Sequence, residues 1–505
     1  MSAIKRNARN ALRAAAIFIL ATLALTAWAA SSPIGSSPDD DFHLASIWCS
    51  HSTQSSGCKL QGTSVVIPAR TYGHVCYAAQ PNQSAACVWD VKISDMTTAP
   101  ADRANLSGQY PPGYYYVMGF LAGPDAYQSA YFMRITNIVL AVLLLMLVIA
   151  LAPRGVRQAG LLSLLAVGGP MGWFIVASNN PSSWAFVGVA VAWIGVMGFI
   201  LQTNAARAYG ALGVGLLGGV IAASARVDAA AYTLIVIIGI TVGAWLAGGV
   251  ARSRAIIMTV IGCVVGLVVL FEYFAYRQGT VVSGGAVAAS QPGAIVTTFD
   301  NIVRMPGFLL GGLGFSELGW LDTPMPNSVA IAATMLVGAL IFVGLGGMAR
   351  WTACAWLIVL ASLIAIPTYV FYVNGIAIGQ VLQPRYVLPL LAPAVGIALV
   401  RNSGALTIGL SRGQFVGFAV LVTSIYGLSL YTNIRRYVTG LDQMTLSLSR
   451  DAEWWSNSTV SPNQDWIVGT FSLVVLLWLL RHLLMGDEST ATAVITSRTI
   501  TNSHS

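Results

Sequence analysis

The sequence predicts an all-α polytopic membrane protein of about 12 transmembrane helices. Three observations predict it. Hydrophobic residues make up 56% of the 505 positions and charged residues only 9%, against roughly 25% charge in soluble chains. Mean hydropathy is +0.72. Apolar runs of about 20 residues, each long enough to cross a hydrocarbon core of about 30 Å, recur along the whole chain.

The runs place spans at 12–30, 131–152, 159–177, 183–201, 209–224, 230–250, 255–275, 328–348, 351–372, 387–401, 414–432 and 466–485. The fifth and tenth are short and rich in Gly or Pro. Lys5, Arg6, Arg9 and Arg13 precede the first span, and Arg154/Arg157, Arg252/Arg254 and Arg350 fall on the same side if the spans alternate. The positive-inside rule makes that side cytoplasmic, with both termini there and multi-pass residence in the cell membrane. The net charge of +8 includes these anchors, and no dense basic run points to nucleic acid. A basic start followed by an apolar stretch and Ala27-Trp28-Ala29 also resembles a signal peptide, although the stretch is longer than a usual signal core.

The expected organisation is a cytoplasmic N-terminus and first helix (1–30), an outer loop (31–130), helices 2–7 (131–275), a long outer loop (276–327), helices 8–12 (328–485, with an outer loop at 433–465), and a disordered cytoplasmic tail (486–505). Loop 31–130 reads as a small β-rich cap, with alternating stretches at 64–67 and 87–91. Its four cysteines, Cys49, Cys58, Cys76 and Cys87, suggest two disulfides in an oxidising compartment, with three pairings open. In loop 276–327 the first part reads as mobile. The second, 302–320, is apolar and too broken for a span, so it re-enters the membrane or lies along the interface.

Ionisable residues within spans are scarce, whereas ion-coupled transporters usually need them. The densest charge lies just past the first span, in Pro38-Asp39-Asp40-Asp41-Phe42-His43. Three adjacent carboxylates stay ionised only if solvated, paired or bound to a cation, and one beside a low-dielectric boundary can act as a general base. The competing account is a solvated, topological charge run. No metal ligand set or certain cofactor is apparent, but a divalent cation near the carboxylates fits their chemistry. Tyr110-Pro111-Pro112 is a rigid entry to the second span or an aromatic wall for a headgroup. Asn179-Asn180-Pro181 is a tight hairpin or a pair of amides at the headgroup level. Asp322 caps a turn or adds a site carboxylate. Arg385, after Gln383-Pro384, snorkels or binds a phosphate through its planar fork.

Taken together these segments resemble a large bacterial family of predicted membrane proteins. Pro38-Asp39-Asp40 with His43 resembles its PD(D/E)xxH signature. Gly319-Trp320-Leu321-Asp322-Thr323-Pro324 with Pro326 resembles its GWLDTxxP stretch, and Gln383, Arg385-Tyr386 and Leu388-Pro389 its QxRYxLP stretch. Asp40 stands where Glu is common, and Ser182 where Asp often follows the Asn-Pro turn. The family looks like a branch of the GT-C glycosyltransferase group.

The resemblance implies a GT-C-like fold and a glycosyltransferase using a polyprenyl-phosphate sugar donor and an envelope glycan, lipid or protein acceptor. In that reading Asp39 and Asp40 are catalytic, and His43, Tyr110, Asn180, Asp322, Gln383 and Arg385 bind substrate. Asp39/Asp40, Asp322 and Arg385 then converge on one outer cavity. The alternatives are a transporter or flippase for a glycan lipid, or a non-catalytic partner in envelope assembly.

Overall fold

The computed structural model describes residues 2–485 except 52–57, 62–63, 70, 72–75, 91–97, 102, 248–250, 277–293, 380–381, 402–408 and 457–458. The expected disordered tail and the first part of loop 276–327 lie outside the described residues.

Apolar runs with few charges become helices because a helix pairs its own backbone groups where water is absent. Among the described residues, ten helices are long and apolar enough to cross a membrane. They are α1 (Ser2–Ala30), α5 (Ala126–Leu151), α8 (Ser182–Leu201), α9 (Ala205–Ala225), α10 (Val227–Ala247), α11 (Arg252–Ala275), α13 (Asn327–Leu345), α14 (Arg350–Asn374), α16 (Arg412–Val438) and α17 (Pro462–Leu484). The expected third span is instead two pieces, α6 (Arg154–Val167) and α7 (Met171–Val176). Gly168, Gly169 and Pro170 separate them, and a proline without an N–H cannot continue the ladder. The expected tenth span is α15 (Leu388–Leu399), buried along its whole length. At 12 residues it extends about 18 Å, short of a full crossing.

The bundle is built around α8, which is buried at nearly every position. It packs on α9 through glycine. A Cβ at Gly188 would come within 2.5 Å of the Gly218 carbonyl, and one at Gly195 within 2.5 Å of the Ala211 carbonyl. Small residues let two apolar helices approach closely where no hydrophobic force separates protein from lipid.

Between α1 and α5 lies the cap. It begins with α2 (Asp40–Trp48) and has an antiparallel sheet in the order β1 (Lys59–Gln61), β2 (Ser64–Pro68), β3 (Thr98–Ala101). Val65 pairs with Leu60 on one side and Ala101 on the other. The expected strand beginning at Cys87 is a helical turn, α3 (Cys87–Asp90). The disulfides join neighbours in sequence, Cys49 to Cys58 and Cys76 to Cys87. The cap ends with α4 (Gly113–Gly119), followed by the N-cap Asp125, which accepts from Tyr127 N and Gln128 N at the start of α5. A further helix, α12 (Ala294–Leu310), precedes the turn that leads to α13.

The cap is fixed to the bundle by a charge. Arg436, at the end of α16, is fully buried and donates to Asp322 Oδ2 at 2.7 Å, to the Tyr77 carbonyl at 2.7 Å and to the Gln83 carbonyl at 2.6 Å. Asp322 Oδ2 also accepts from Ala79 N at 3.1 Å. Removing one partner of such a pair leaves an uncompensated buried charge, at a cost of about 3–5 kcal/mol. Asp322→Ala is therefore expected to lower the unfolding temperature in detergent strongly. Asp300→Ala breaks an exposed pair with Arg304, worth about 0.3–0.5 kcal/mol, and should leave it unchanged within error.

Candidate functional site

The site forms where the chain leaves α1. Residues 29–38 carry carbonyls with no helix to pair them. Donors from distant elements pair them instead, as buried acceptors require. Arg134 of α5 donates to Ala29, Ser32 and Pro33 at 2.9, 2.6 and 2.7 Å. The Tyr77 hydroxyl donates to the Ile34 carbonyl and Trp320 Nε1 to the Gly35 carbonyl, each at 2.7 Å. Asn180 Nδ2 donates to the Pro38 carbonyl at 2.9 Å, and Asn433 Nδ2 reaches the hydroxyls of Ser31 and Ser32, both at 2.8 Å.

This clamped linker delivers Asp39 in a left-handed conformation, φ 59°, which Asp tolerates better than most residues. The turn separates the fates of three consecutive carboxylates. The Asp40 side chain is buried. Its Oδ2 accepts from Ser37 N at 3.1 Å, and its Oδ1 has no partner. Asp41 pairs with Arg103 at 2.7 Å. Asp39 is the most open, with 32% of its side chain exposed, and it meets two arginines: Arg385 Nη2 at 2.7 Å and Arg103 Nη2 at 3.3 Å.

Arg385 sits in the Pro384–Tyr386 turn ahead of α15. It is buried. Its Nη2 also donates to the Tyr386 hydroxyl at 3.0 Å, while its Nε has no partner. The other face of this cluster is Arg226, between α9 and α10. Its Nε and Nη2 grip Asp228 bidentately at 2.9 and 2.8 Å, and its Nη1 donates to the Ser182 hydroxyl at 3.3 Å. Its guanidinium lies 4.5 Å from the Tyr386 ring centroid and 5.6 Å from that of Tyr110. Arg385 lies 4.8 Å from the same ring, so Tyr386 contacts both cations.

His43, one turn into α2, is buried among Phe42, Tyr110 and Tyr115, and its Nδ1 is 2.9 Å from the Tyr115 hydroxyl. Burial pushes its pKa down to about 3, only partly offset by Asp39, so it is neutral near pH 7. Burial pushes Asp40 up to about 7, against the pull of Arg134 and the Ser37 hydrogen bond. Burial raises Asp39 too, but Arg385, His43 and Arg103 outweigh it and hold the carboxyl below its ordinary value.

The sequence-predicted residues therefore divide. Asp39, His43, Tyr110 and Arg385 meet in one cluster. Asn180 stands behind it and fixes Pro38. Asp322 does not open toward Asp39, because Arg436 and Ala79 enclose it. Gln383 is half-buried at the rim, and its side chain makes no hydrogen bond among the described residues. Arg103, Arg226 and Asp228 complete the cluster without a signal in the sequence reading, as does Tyr386, which stood in the arginine motif with no role of its own. Each is an ordinary residue in a loop or at a helix end. Among the described residues no group of three or more His, Cys, Asp or Glu side chains is placed to hold a metal ion.

The family model described as Predicted membrane protein (DUF2142) matches residues 22–394, well over half of the chain. The chain belongs to this family. No curated protein and no solved structure matches it. The DUF2142 match includes the clamped linker, the acidic turn, the Asn180 hairpin, the Asp322 loop and Arg385, and ends within α15.

Two buried groups of opposite habit give this site a pH signature. Folded Asp40 keeps its proton between about pH 4 and 7, where the unfolded chain loses it, so this group makes stability fall as pH rises through that window. Folded His43 stays neutral between about pH 3 and 6.5, where the unfolded chain binds a proton, so this group makes stability rise with pH. The two oppose each other between about pH 4 and 6.5. The stability curve of Asp40→Asn, from denaturation across that range, is expected to climb more steeply with pH than wild type. That of His43→Gln should climb less or fall.

Proposed function

We propose that the protein is a membrane glycosyltransferase of GT-C type, moving a sugar from a polyprenyl-phosphate donor to an envelope glycan, lipid or protein acceptor on the outer face. The observation that carries the reading is the 2.7 Å pair of Asp39 and Arg385, an accessible carboxylate against a buried arginine at one end of a bundle of apolar helices. The resemblance of the acidic and arginine segments to motifs of a family that looks like a branch of the GT-C group supports it, and so does the basic N-terminal flank, which by the positive-inside rule puts this end outside.

In the resting site the two charges satisfy each other. A donor phosphate takes over the Arg385 guanidinium, whose fork suits it. Asp39 then loses its nearest counter-ion, and its affinity for a proton rises. It takes the proton of the acceptor hydroxyl as that oxygen attacks the anomeric carbon from the face opposite the phosphate. The bond from the anomeric carbon to the phosphate oxygen breaks, and polyprenyl phosphate leaves with the electron pair. Arg385 stabilises the charge that develops on it. One base suffices, and the product is inverted.

Asp40, enclosed and without access to substrate in this state, is a positioning residue that holds the turn through Ser37. Neutral His43 orients groups beside Asp39 by hydrogen bonding, and Tyr110 forms the wall behind it. Asn180 acts through Pro38, and Asp322 through the cap.

Purified protein supplied with a polyprenyl-phosphate sugar and candidate acceptors tests the reading. Asp39→Asn is expected to lower transfer by about 10²–10⁴-fold, the range for a positioned general base. Asp41→Asn, which breaks only the pair with half-exposed Arg103, should retain most of it. Full transfer by Asp39→Asn contradicts the assignment of the base. Lipid movement across the bilayer without sugar transfer favours the flippase alternative.

A further inference from the structure

The donor of the proposed reaction brings a long apolar chain with its phosphate, and that chain needs a surface beside Arg385. Helix α12 is such a surface. At 17 residues, with Pro306 inside, it is shorter than each of the ten candidate spans. α10 starts next to Arg226, at the site end, and α11 packs back along it, so α11 ends at the site end. α13 starts there too, after the loop that carries Trp320 and Asp322. α12 lies between these two ends.

Its two faces differ. On one, Asn301, Met305 and Phe308 are buried. Asn301 donates to the Ile376 carbonyl at 2.9 Å and accepts from Ile378 N at 2.8 Å, and Phe308 meets Phe371 of α14 edge-on, with ring centroids 5.3 Å apart. On the other, Val296, Phe299, Ile302 and Val303 are exposed, Phe299 to 69%. These four residues fall within one side of the helical wheel at 100° per residue. The Asp300–Arg304 pair forms a polar border next to them.

The helix runs into the Arg385 turn. α12 packs against the Pro384–Tyr386 turn. The following residue, Gly311, lies so close that a Cβ there would come within 2.4 Å of Pro384 Cγ. Tyr369, Tyr372 and Val373, toward the end of α14, are also exposed. A soluble surface rarely exposes four large apolar residues together on one helix, whereas an interfacial helix beside membrane spans does so by construction.

We propose that the exposed face of α12 is the landing surface for the isoprenoid chain of the lipid whose phosphate binds Arg385. This rests on the lipid-phosphate reading above. The chain lies along Val296, Phe299 and Val303, and its phosphate end reaches the turn to which α12 is joined. The Asp300–Arg304 border faces the headgroup level.

The test uses the full-length protein in nanodiscs with a polyprenyl phosphate carrying a diazirine in its isoprenoid chain. Irradiation is followed by peptide mapping. Adducts are expected to concentrate on 294–310, to disappear under excess unlabelled polyprenyl phosphate, and to fall several-fold in both Arg385→Ala and Phe299→Asp. A milder variant, Phe299→Ala, guards against misfolding and should reduce them less. Competable, Arg385-dependent adducts elsewhere on the bundle overturn the role of α12 and leave the lipid-phosphate reading standing. Adducts on α12 that excess polyprenyl phosphate does not remove mark it as a bilayer contact only and overturn the proposal. No competable adduct anywhere overturns both.

Discussion

Eight residues of irregular backbone, 31–38, together with the last turn of α1, govern this structure. They leave the end of α1 and turn through the packed end of the bundle, where water is excluded. Local backbone donors reach only some of their carbonyls, Ser36 N that of Pro33 and Asp40 N that of Ser37, and each buried carbonyl left unpaired would cost about 1–3 kcal/mol. Arg134, Tyr77, Trp320 and Asn180 supply carbonyl donors from α5, the cap, the Asp322 loop and the hairpin before α8, and Asn433 of α16 holds the Ser31 and Ser32 hydroxyls. The linker can therefore take this path only when those distant elements are already in place. In return it ties them together and sets the turn that sends Asp39 outward and Asp40 inward.

Charge balance explains the rest of the site. Arg226 commits three of its five N–H donors to Asp228 and Ser182, has its charge balanced by Asp228 and lies against the Tyr386 ring, so it shapes the cluster. Arg385 shares a single Nη2 between Asp39 and Tyr386 and leaves Nε unpartnered. A buried guanidinium with spare donors is costly at rest, and its low-dielectric setting strengthens its hold on an entering anion. Arg103 differs again. It is 52% exposed, and its pairs with Asp39 and Asp41 lie at the rim, where water screens them.

Much of this was legible in the sequence. Long apolar runs gave the helices, and an acidic triplet just past a span marked the site. Arg385 stood out as a permanent cation at a membrane boundary, and four loop cysteines implied two bridges. Other features depend on three-dimensional contact. Hydropathy averages over Gly168, Gly169 and Pro170, so it showed one span where α6 and α7 are separate. The tenth span already read as short, but hydropathy could not show that α15 is buried along its whole length, because a fully buried helix and a lipid-facing one are equally apolar. The stretch from Cys87 alternates like a strand, yet it is a helical turn against α16. Asp322 and Asp39 look alike in sequence, each beside a turn at the same bundle end. Arg436 makes one structural, and Arg385 makes the other a candidate base.

The central claim is that the clamped linker holds Asp39 against Arg385 as a resting pair that a lipid phosphate opens. A side-chain-resolving map of the protein with bound polyprenyl phosphate tests it most directly. The account predicts the phosphate on the Arg385 guanidinium, the 2.7 Å contact to Asp39 broken, and the backbone of 29–38 unmoved. Phosphate bound elsewhere with that contact intact, or a linker that rearranges to admit it, would contradict the account.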